Sequence, residues 1–172
     1  MLTITRYNAN VHSTNNQDGV TDMTCIIGMH CDSGKAAVII ADSRTMIGGN
    51  YSRERKILKL GPDVVFASAG FAGIQEKLIN NVAHTRLISR RILPSEVVNI
   101  FEDEMAELYN RYKMTKPYRF SSDETLLHGC IGFIDSGKPK LYCLYENGYA
   151  DAIQDFRALG HGDPTPFILP VV

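Results

Sequence analysis

Three side chains, Thr24, Asp42 and Lys56, are of the types a self-contained hydrolytic centre needs. A threonine hydroxyl holds its proton too tightly to be a good nucleophile. At the start of a chain it gains a neighbouring α-amine of pKa about 8, so one residue supplies both nucleophile and base. A lysine close to the hydroxyl eases loss of its proton, and an aspartate orients that lysine and keeps it charged. Asp42 ends the apolar run in "AAVIIADS" and Lys56 opens "KILKL", so both stand at strand ends, where side chains converge. Arg44 follows in the same "ADSR" stretch. Gly70, in "FASAGFAG", stands where a strand gives way to a helix; N–H groups at such a junction point outward and suit a tetrahedral oxyanion. Each residue also has a plainer reading: Thr24 opening a strand, Asp42 in a strand-end ion pair, Lys56 as part of "RERK", Gly70 as a turn glycine.

The threonine chemistry requires residues 1–23 to be absent from the working chain. Either translation starts at Met23, whose removal exposes Thr24, or the leader is cut off as a pro-segment. A histidine-based triad is not favoured. His12 lies in the leader, His84 in a helix and His128 in a strand. His30 and His161 have no evident partner, and no G-x-S-x-G elbow exists.

The elements that must position these residues follow from periodicity. Residues 1–22 are polar and aperiodic and are expected to be flexible. "TCIIGMH" and "AAVIIADS" read as a hairpin around the turn "DSGK", the second strand covered on both faces. Residues 45–52 read as loop, and "KILKL" and "VVFASAG" as strands. A helix is expected from Phe71 to about Ser89. A second opens near Pro94, with Val97, Phe101, Met105, Leu108 and Tyr112 as its buried stripe. Glu102, Asp103, Glu104 and Glu107 read as a solvated acidic face. "TLLHGCIGFID" and "KLYCLYENGYADAI" complete the strands, and "DFRALGHGDPTP" ends in glycines and prolines. This order, strands then two helices then strands, gives an α+β class with helices packed on a largely antiparallel double sheet.

Composition excludes several classes. The 172 residues are 44% hydrophobic and 22% charged, enough for one domain with a core. A net charge of −1, from 18 basic and 19 acidic side chains, provides no footprint for nucleic acid or an anionic membrane. No apolar run approaches the roughly 20 residues of a membrane helix. The leader has one basic residue, Arg6, and no apolar block, unlike a secretory signal. A cytoplasmic location is expected. The four cysteines, Cys25, Cys31, Cys130 and Cys143, are scattered without a C-x-x-C pair, and read as small buried hydrophobes rather than a metal site.

Taken in order, "TCIIGM", "VIIADSRT", "RKILKL", "VFASAGFAG", "IGFID" and a weaker "ALGHG" resemble the proteasome β-subunit family, including bacterial relatives of the heat-shock-locus V type. The resemblance spans about Met23 to Gly162. It implies a four-layer αββα sandwich of the N-terminal nucleophile hydrolase type, a leader at 1–23 and a hydrolase domain at 24–172. It also implies peptide hydrolysis through an acyl-ester on Thr24, with Asp42 and Lys56 as activating pair, Arg44 nearby and the Gly70 N–H as oxyanion donor. No metal or cofactor is implied. The implied partners are a homo- or hetero-oligomeric ring of related subunits, unfolded polypeptide as substrate and an ATP-dependent unfoldase. Two departures stand out. His161 occupies the place of a serine that helps hold the site, and the sequence stops at "DPTPFILPVV", where relatives continue through a further helix and strands. The domain is therefore expected to be truncated. A non-catalytic structural subunit and an amidase acting on small amides remain as alternatives.

Overall fold

The structure is a computed structural model that describes residues 2–4, 25–42, 44–47, 50–53, 55–61, 63–83, 94–114 and 126–160. Strands β1 (Leu2–Ile4), β2 (Cys25–Cys31), β3 (Ala36–Ala41) and β11 (Phe156–Gly160) form one sheet in the order β1-β3-β2-β11. Strands β6 (Ile57–Lys59), β7 (Val64–Gly70), β8 (Leu127–Asp135), β9 (Lys138–Leu144) and β10 (Ala150–Ala152) form a second, antiparallel sheet in the order β10-β9-β8-β7-β6. Strands β4 (Arg44–Ile47) and β5 (Asn50–Arg53) make a separate hairpin. Helices α1 (Ala72–Val82) and α2 (Pro94–Tyr109) lie between β7 and β8 in sequence, and α2 runs on into a π-helical turn at Asn110–Met114.

Side-chain size separates the layers. Between the sheets, small residues let the backbones approach: Ala37 and Ala41 from β3, Ala67 and Ala69 from β7, Cys130 and Cys143, filled out by Ile26, Ile39, Val65 and Leu141. A Cβ added at Gly28 would lie 2.8 Å from the Cys130 sulfur, so only glycine fits there. On the other face of the second sheet the contacts are bulky. Phe66, Leu127, Ile131 and Phe133 meet Ile74, Leu78 and Val82 of α1 and Val97, Phe101, Met105 and Leu108 of α2. Phe66 and Phe101 stack with centroids 4.8 Å apart. Helices, second sheet and first sheet thus pack in that order, in keeping with the α+β class.

The expected stripe of the second helix holds at Val97, Phe101, Met105 and Leu108, which are buried, while Tyr112 is half-buried in the π-helical turn; α1 buries Ile74, Leu78 and Val82. The β2–β3 turn also follows its sequence: Asp32, Ser33 and Gly34 have φ of 50°, 52° and 83°, and the Gly34 N–H donates to the Cys31 carbonyl. Other readings are corrected. Residues expected as loop at 45–52 pair as the β4–β5 hairpin. β3 is not covered on both faces; Ala37, Ile39 and Ala41 are buried while Val38 and Ile40 are half-buried, so an all-apolar run hid a one-sided strand. The segment after Asp155 is a strand, β11, drawn in by five pairings to β2. Leu2–Ile4, in a leader expected to be flexible, pair parallel with β3; the rest of the leader lies outside the described residues, as does the expected helix beyond Ala83.

The acidic face of α2 is also only partly free. Glu102 accepts from the Ala150 N–H at 2.8 Å and Glu104 from the Asn81 side chain at 2.9 Å, tying α2 to β10 and α1. Asp103 and Glu107 are exposed, and Glu107 pairs with Arg111 one turn on. Both described helices pack on the second sheet, and no helix covers the first sheet among the described residues.

Phe101→Ala removes the ring stacked on Phe66 at the centre of the helix–sheet core. It is expected to cost about 3–5 kcal/mol in urea unfolding. Phe156→Ser, at a side chain 54% exposed, should change stability by no more than about 0.5 kcal/mol.

Candidate functional site

β3 ends at Ala41, and Asp42 follows it immediately. The Asp42 N–H donates to the Cys25 carbonyl at 3.2 Å, so the antiparallel ladder holds this aspartate beside the first residue of β2. Lys56 lies one residue before β6 on the second sheet, and the Ser68 N–H donates to its carbonyl at 3.3 Å. Two strand ends from different sheets are thereby brought face to face. The Lys56 Nζ donates to Asp42 Oδ1 at 2.8 Å.

Burial gives this pair its meaning. Lys56 is 7% exposed and Asp42 25% exposed. A buried ammonium without a partner costs several kcal/mol, whereas exposed pairs contribute little. The pair is thus no surface strand-end contact, and Lys56 is not a solvated member of "RERK". Cys25 reports the same geometry. Burial pushes its thiol up, the Asp42 carboxylate adds to the rise and the Lys56 ammonium opposes it. Both charges therefore act on the residue that follows Thr24.

Thr24 itself lies outside the described residues. Arg44 opens β4, where its backbone pairs with Arg53. Gly70 ends β7 with φ of 136°, and the following Phe71 N–H donates to the Leu126 carbonyl at 3.0 Å. A Cβ there would run into the Leu126 carbonyl oxygen and sit 2.8 Å from the Leu127 Cα, so glycine is required by both backbone conformation and space. That requirement holds whatever the Gly70 N–H does chemically. α1 begins directly after Phe71, with no side-chain cap on its first turn.

Two residues escaped the sequence reading. Ser68 sits on β7 two residues before Gly70, is 1% exposed, and its hydroxyl has no hydrogen-bond partner among the described residues. Nothing in "VVFASAG" marks it, because one serine in an apolar strand looks like any other. Gly160, the last residue of β11, pairs directly with Cys25 and has φ of 135°. It belongs to "ALGHG", the weakest of the matching stretches; His161 lies outside the described residues. His30 stands near the opposite end of β2 from Cys25, its Nδ1 buried without a partner among the described residues, away from the Asp42–Lys56 pair. His128 packs edge-on against Tyr145 at 5.9 Å. No cluster of three or more potential metal ligands occurs among the described residues, and no described helix is long and apolar enough to cross a membrane.

Two facing sheets, helices on one of them and a buried lysine–aspartate pair beside the start of β2 make an α+β fold. The sequence profile of the proteasome subunit family matches residues 20–167, and the chain belongs to that family. Among solved structures, it is similar to Anbu (ancestral beta-subunit) from Yersinia bercovieri, with TM-score 0.68 and 18% identity over 87% of this chain and 66% of that one. It is also similar to the subunit in the helical assembly of the Anbu complex from Pseudomonas aeruginosa, with TM-score 0.64 and 22% identity over 80% and 61% of the two chains. Anbu from Hyphomicrobium sp. strain MC1 gives TM-score 0.63 and 18% identity over 87% and 66%. The chain spans just under two thirds of the length of these structures. A comparison with curated proteins finds no match.

The electrostatic arrangement predicts a reactivity pattern at Cys25. Its raised pKa leaves little thiolate at pH 8, so iodoacetamide should label it more slowly than a free thiol. Asp42→Asn removes a charge that raises the pKa and should speed labelling; Lys56→Met removes one that lowers it and should slow labelling. Site-resolved peptide mass spectrometry across a pH series reads both directions.

Proposed function

We propose that this chain is a threonine-type peptidase subunit that cleaves unfolded polypeptide through an acyl-ester on Thr24. One observation carries the reading: the buried Lys56–Asp42 ion pair, 2.8 Å long, stands beside the start of β2, because the backbone N–H of Asp42 donates to the carbonyl of Cys25, the residue following Thr24. An ordinary structural strand end has no need of a buried ammonium there, and placing one costs desolvation free energy.

In this mechanism the bond between Met23 and Thr24 is first hydrolysed, or the initiator at Met23 removed, freeing the Thr24 α-amine. The amine takes the hydroxyl proton as Oγ1 attacks the substrate carbonyl carbon. Lys56 lowers the free energy of the developing alkoxide, and Asp42 keeps Lys56 charged and aimed. The oxyanion accepts a hydrogen bond from the Gly70 N–H at the head of α1, where the helix dipole also favours negative charge. The protonated amine then passes its proton to the leaving amine, and water resolves the ester by the same route. Arg44, in the same "ADSR" stretch as Asp42, is kept as a member of the proposed site by its place in the sequence. No step requires a metal or cofactor.

The finer architecture belongs to the same reading: a four-layer sandwich in which another helix layer covers the first sheet, in a cytoplasmic ring or helical array of related subunits served by an unfoldase. The helical assembly of the Pseudomonas aeruginosa relative supports assembly of this kind. A second reading, a non-catalytic subunit, draws on His161, which stands where the family resemblance expects a serine that supports the nucleophile.

The mature N-terminus separates these readings. Intact-mass analysis of the native protein should find Thr24 as first residue, and a β-lactone probe should acylate it. A chain still beginning at Met1 with an unmodified Thr24 favours the non-catalytic subunit. Where the peptidase is active, Lys56→Ala should lower kcat/KM for a fluorogenic peptide by about 10²-fold or more. Survival of near-full activity removes Lys56 from the mechanism.

A further inference from the structure

β1 stands apart from the rest of its sheet. The β2–β3 and β2–β11 ladders are antiparallel, but β1 lies parallel to β3, with Leu2 opposite Ala37, Thr3 opposite Val38 and Ile4 opposite Ile39. It comes from the leader, the segment that the proposed maturation removes. It occupies the only edge of β3 that β2 leaves open.

That edge has a reason to be occupied. Ala36–Ala41 reads AAVIIA, six apolar residues without charge, proline or glycine. Unprotected edges of this kind pair with any extended segment they meet, and proteins blunt them with charge, proline or cover. Here the charges stand only at the two ends, on Lys35 and Asp42. Cover is the device left, and β1 provides it.

The tether is long. β1 runs toward the Asp42 end of β3, and β2 begins at that same end, because Ile26 pairs with Ala41. Two strand spacings, about 10 Å, separate the exit of β1 from the entry of β2. Residues 5–24, twenty in all, join them, where about three extended residues would reach. A three-residue ladder tied to its acceptor through the same chain is held by an effective concentration that a separate peptide lacks. Without the covalent connection that contribution is lost.

We propose that the outer edge of β3 is a strand-acceptor site occupied by the chain's own leader strand, Leu2–Ile4, and that the intact leader is the condition for its occupation. Hydrolysis between Met23 and Thr24, with water supplying hydroxyl to the Met23 carboxyl and hydrogen to the Thr24 amine, turns β1 into a separate peptide and uncovers the edge. Formation of the nucleophile and exposure of an assembly-competent edge are then one event. The release step rests on the peptidase reading; the seating of β1 on β3 does not.

Hydrogen exchange on the full chain tests the seating, using Thr24→Ala should the native chain prove to start at Thr24. In β3, alternate N–H groups face β1, and Thr3→Pro or Ile4→Pro should lower the protection of that subset by about tenfold, with β8 and β9 amides unchanged as the check on folding. Unchanged β3 exchange in both variants overturns the proposal. Thr3→Cys combined with Val38→Cys reads the same contact without a proline. Mild oxidation should link positions 3 and 38 within a monomer; no link, or a link only in dimers, overturns the assignment to the chain's own leader. Exchange before and after loss of residues 1–23 tests the release. β3 should lose protection and the protein should self-associate in light scattering. Persisting protection in a monomer overturns the conditional part alone and leaves the peptidase reading to its own N-terminal test.

Discussion

A lysine ammonium withdrawn from water sets the terms for this end of the molecule. Lys56 meets Asp42 at 2.8 Å, and Asp42 stands there because β3 ends one residue earlier in register with β2. The two partners come from different sheets. The ion pair therefore closes only if the sheets face each other at the right spacing, and every element that sets that spacing contributes to the site. Free energy spent on desolvating the pair is offset in part by its 2.8 Å hydrogen bond, and Ser68, across the ladder from Lys56, donates its backbone N–H to the Lys56 carbonyl.

The spacing itself comes from small side chains. Alanines, a glycine and two cysteines line the space between the sheets, while phenylalanine, leucine and methionine fill the layer under the helices. This difference in bulk brings β2 and β3 close to β7, β8 and β9. It also makes the inter-sheet layer intolerant of growth. Gly28 lies against the Cys130 sulfur, and any side chain there would push the sheets apart. The helix side, by contrast, is anchored by large apolar contacts and by Glu102 and Glu104, which reach from α2 to β10 and α1.

Much of this was legible before the structure because it rests on local pattern. The α1 and α2 stripes, the positive-φ turn after β2, and the strands β2, β7, β8 and β9 follow from periodicity and turn chemistry. So does the likelihood of meeting between Asp42 and Lys56, once both are placed at strand ends. What stayed hidden depends on partners distant in sequence. β11 looks like a polar tail ending in glycines until β2 pairs with it. The β4–β5 hairpin contains two adjacent glycines, which mark a turn as readily as a loop. β3 is apolar on both faces although only one is fully buried, so alternation could not reveal its exposed side. Leu2–Ile4 carry no periodic signal in three residues, and only the edge of β3 makes a strand of them.

The two glycines near φ +135° show how backbone, rather than side chains, shapes the surroundings of the candidate nucleophile. Gly160 pairs with Cys25 across the β2–β11 ladder, and Gly70 ends β7 where α1 begins. At Gly70 a side chain would collide with the β8 entry at Leu126 and Leu127, so the strand can turn outward only because nothing is attached there. The strand end then runs straight into α1, whose first turn has no side-chain cap, while the Phe71 N–H is taken up by the Leu126 carbonyl. Around the start of β2 the fold thus gathers residues from three strand ends, Asp42 just after β3, Lys56 just before β6 and Gly160 at the end of β11, so a slip in the register of any one strand displaces the group it brings to Cys25.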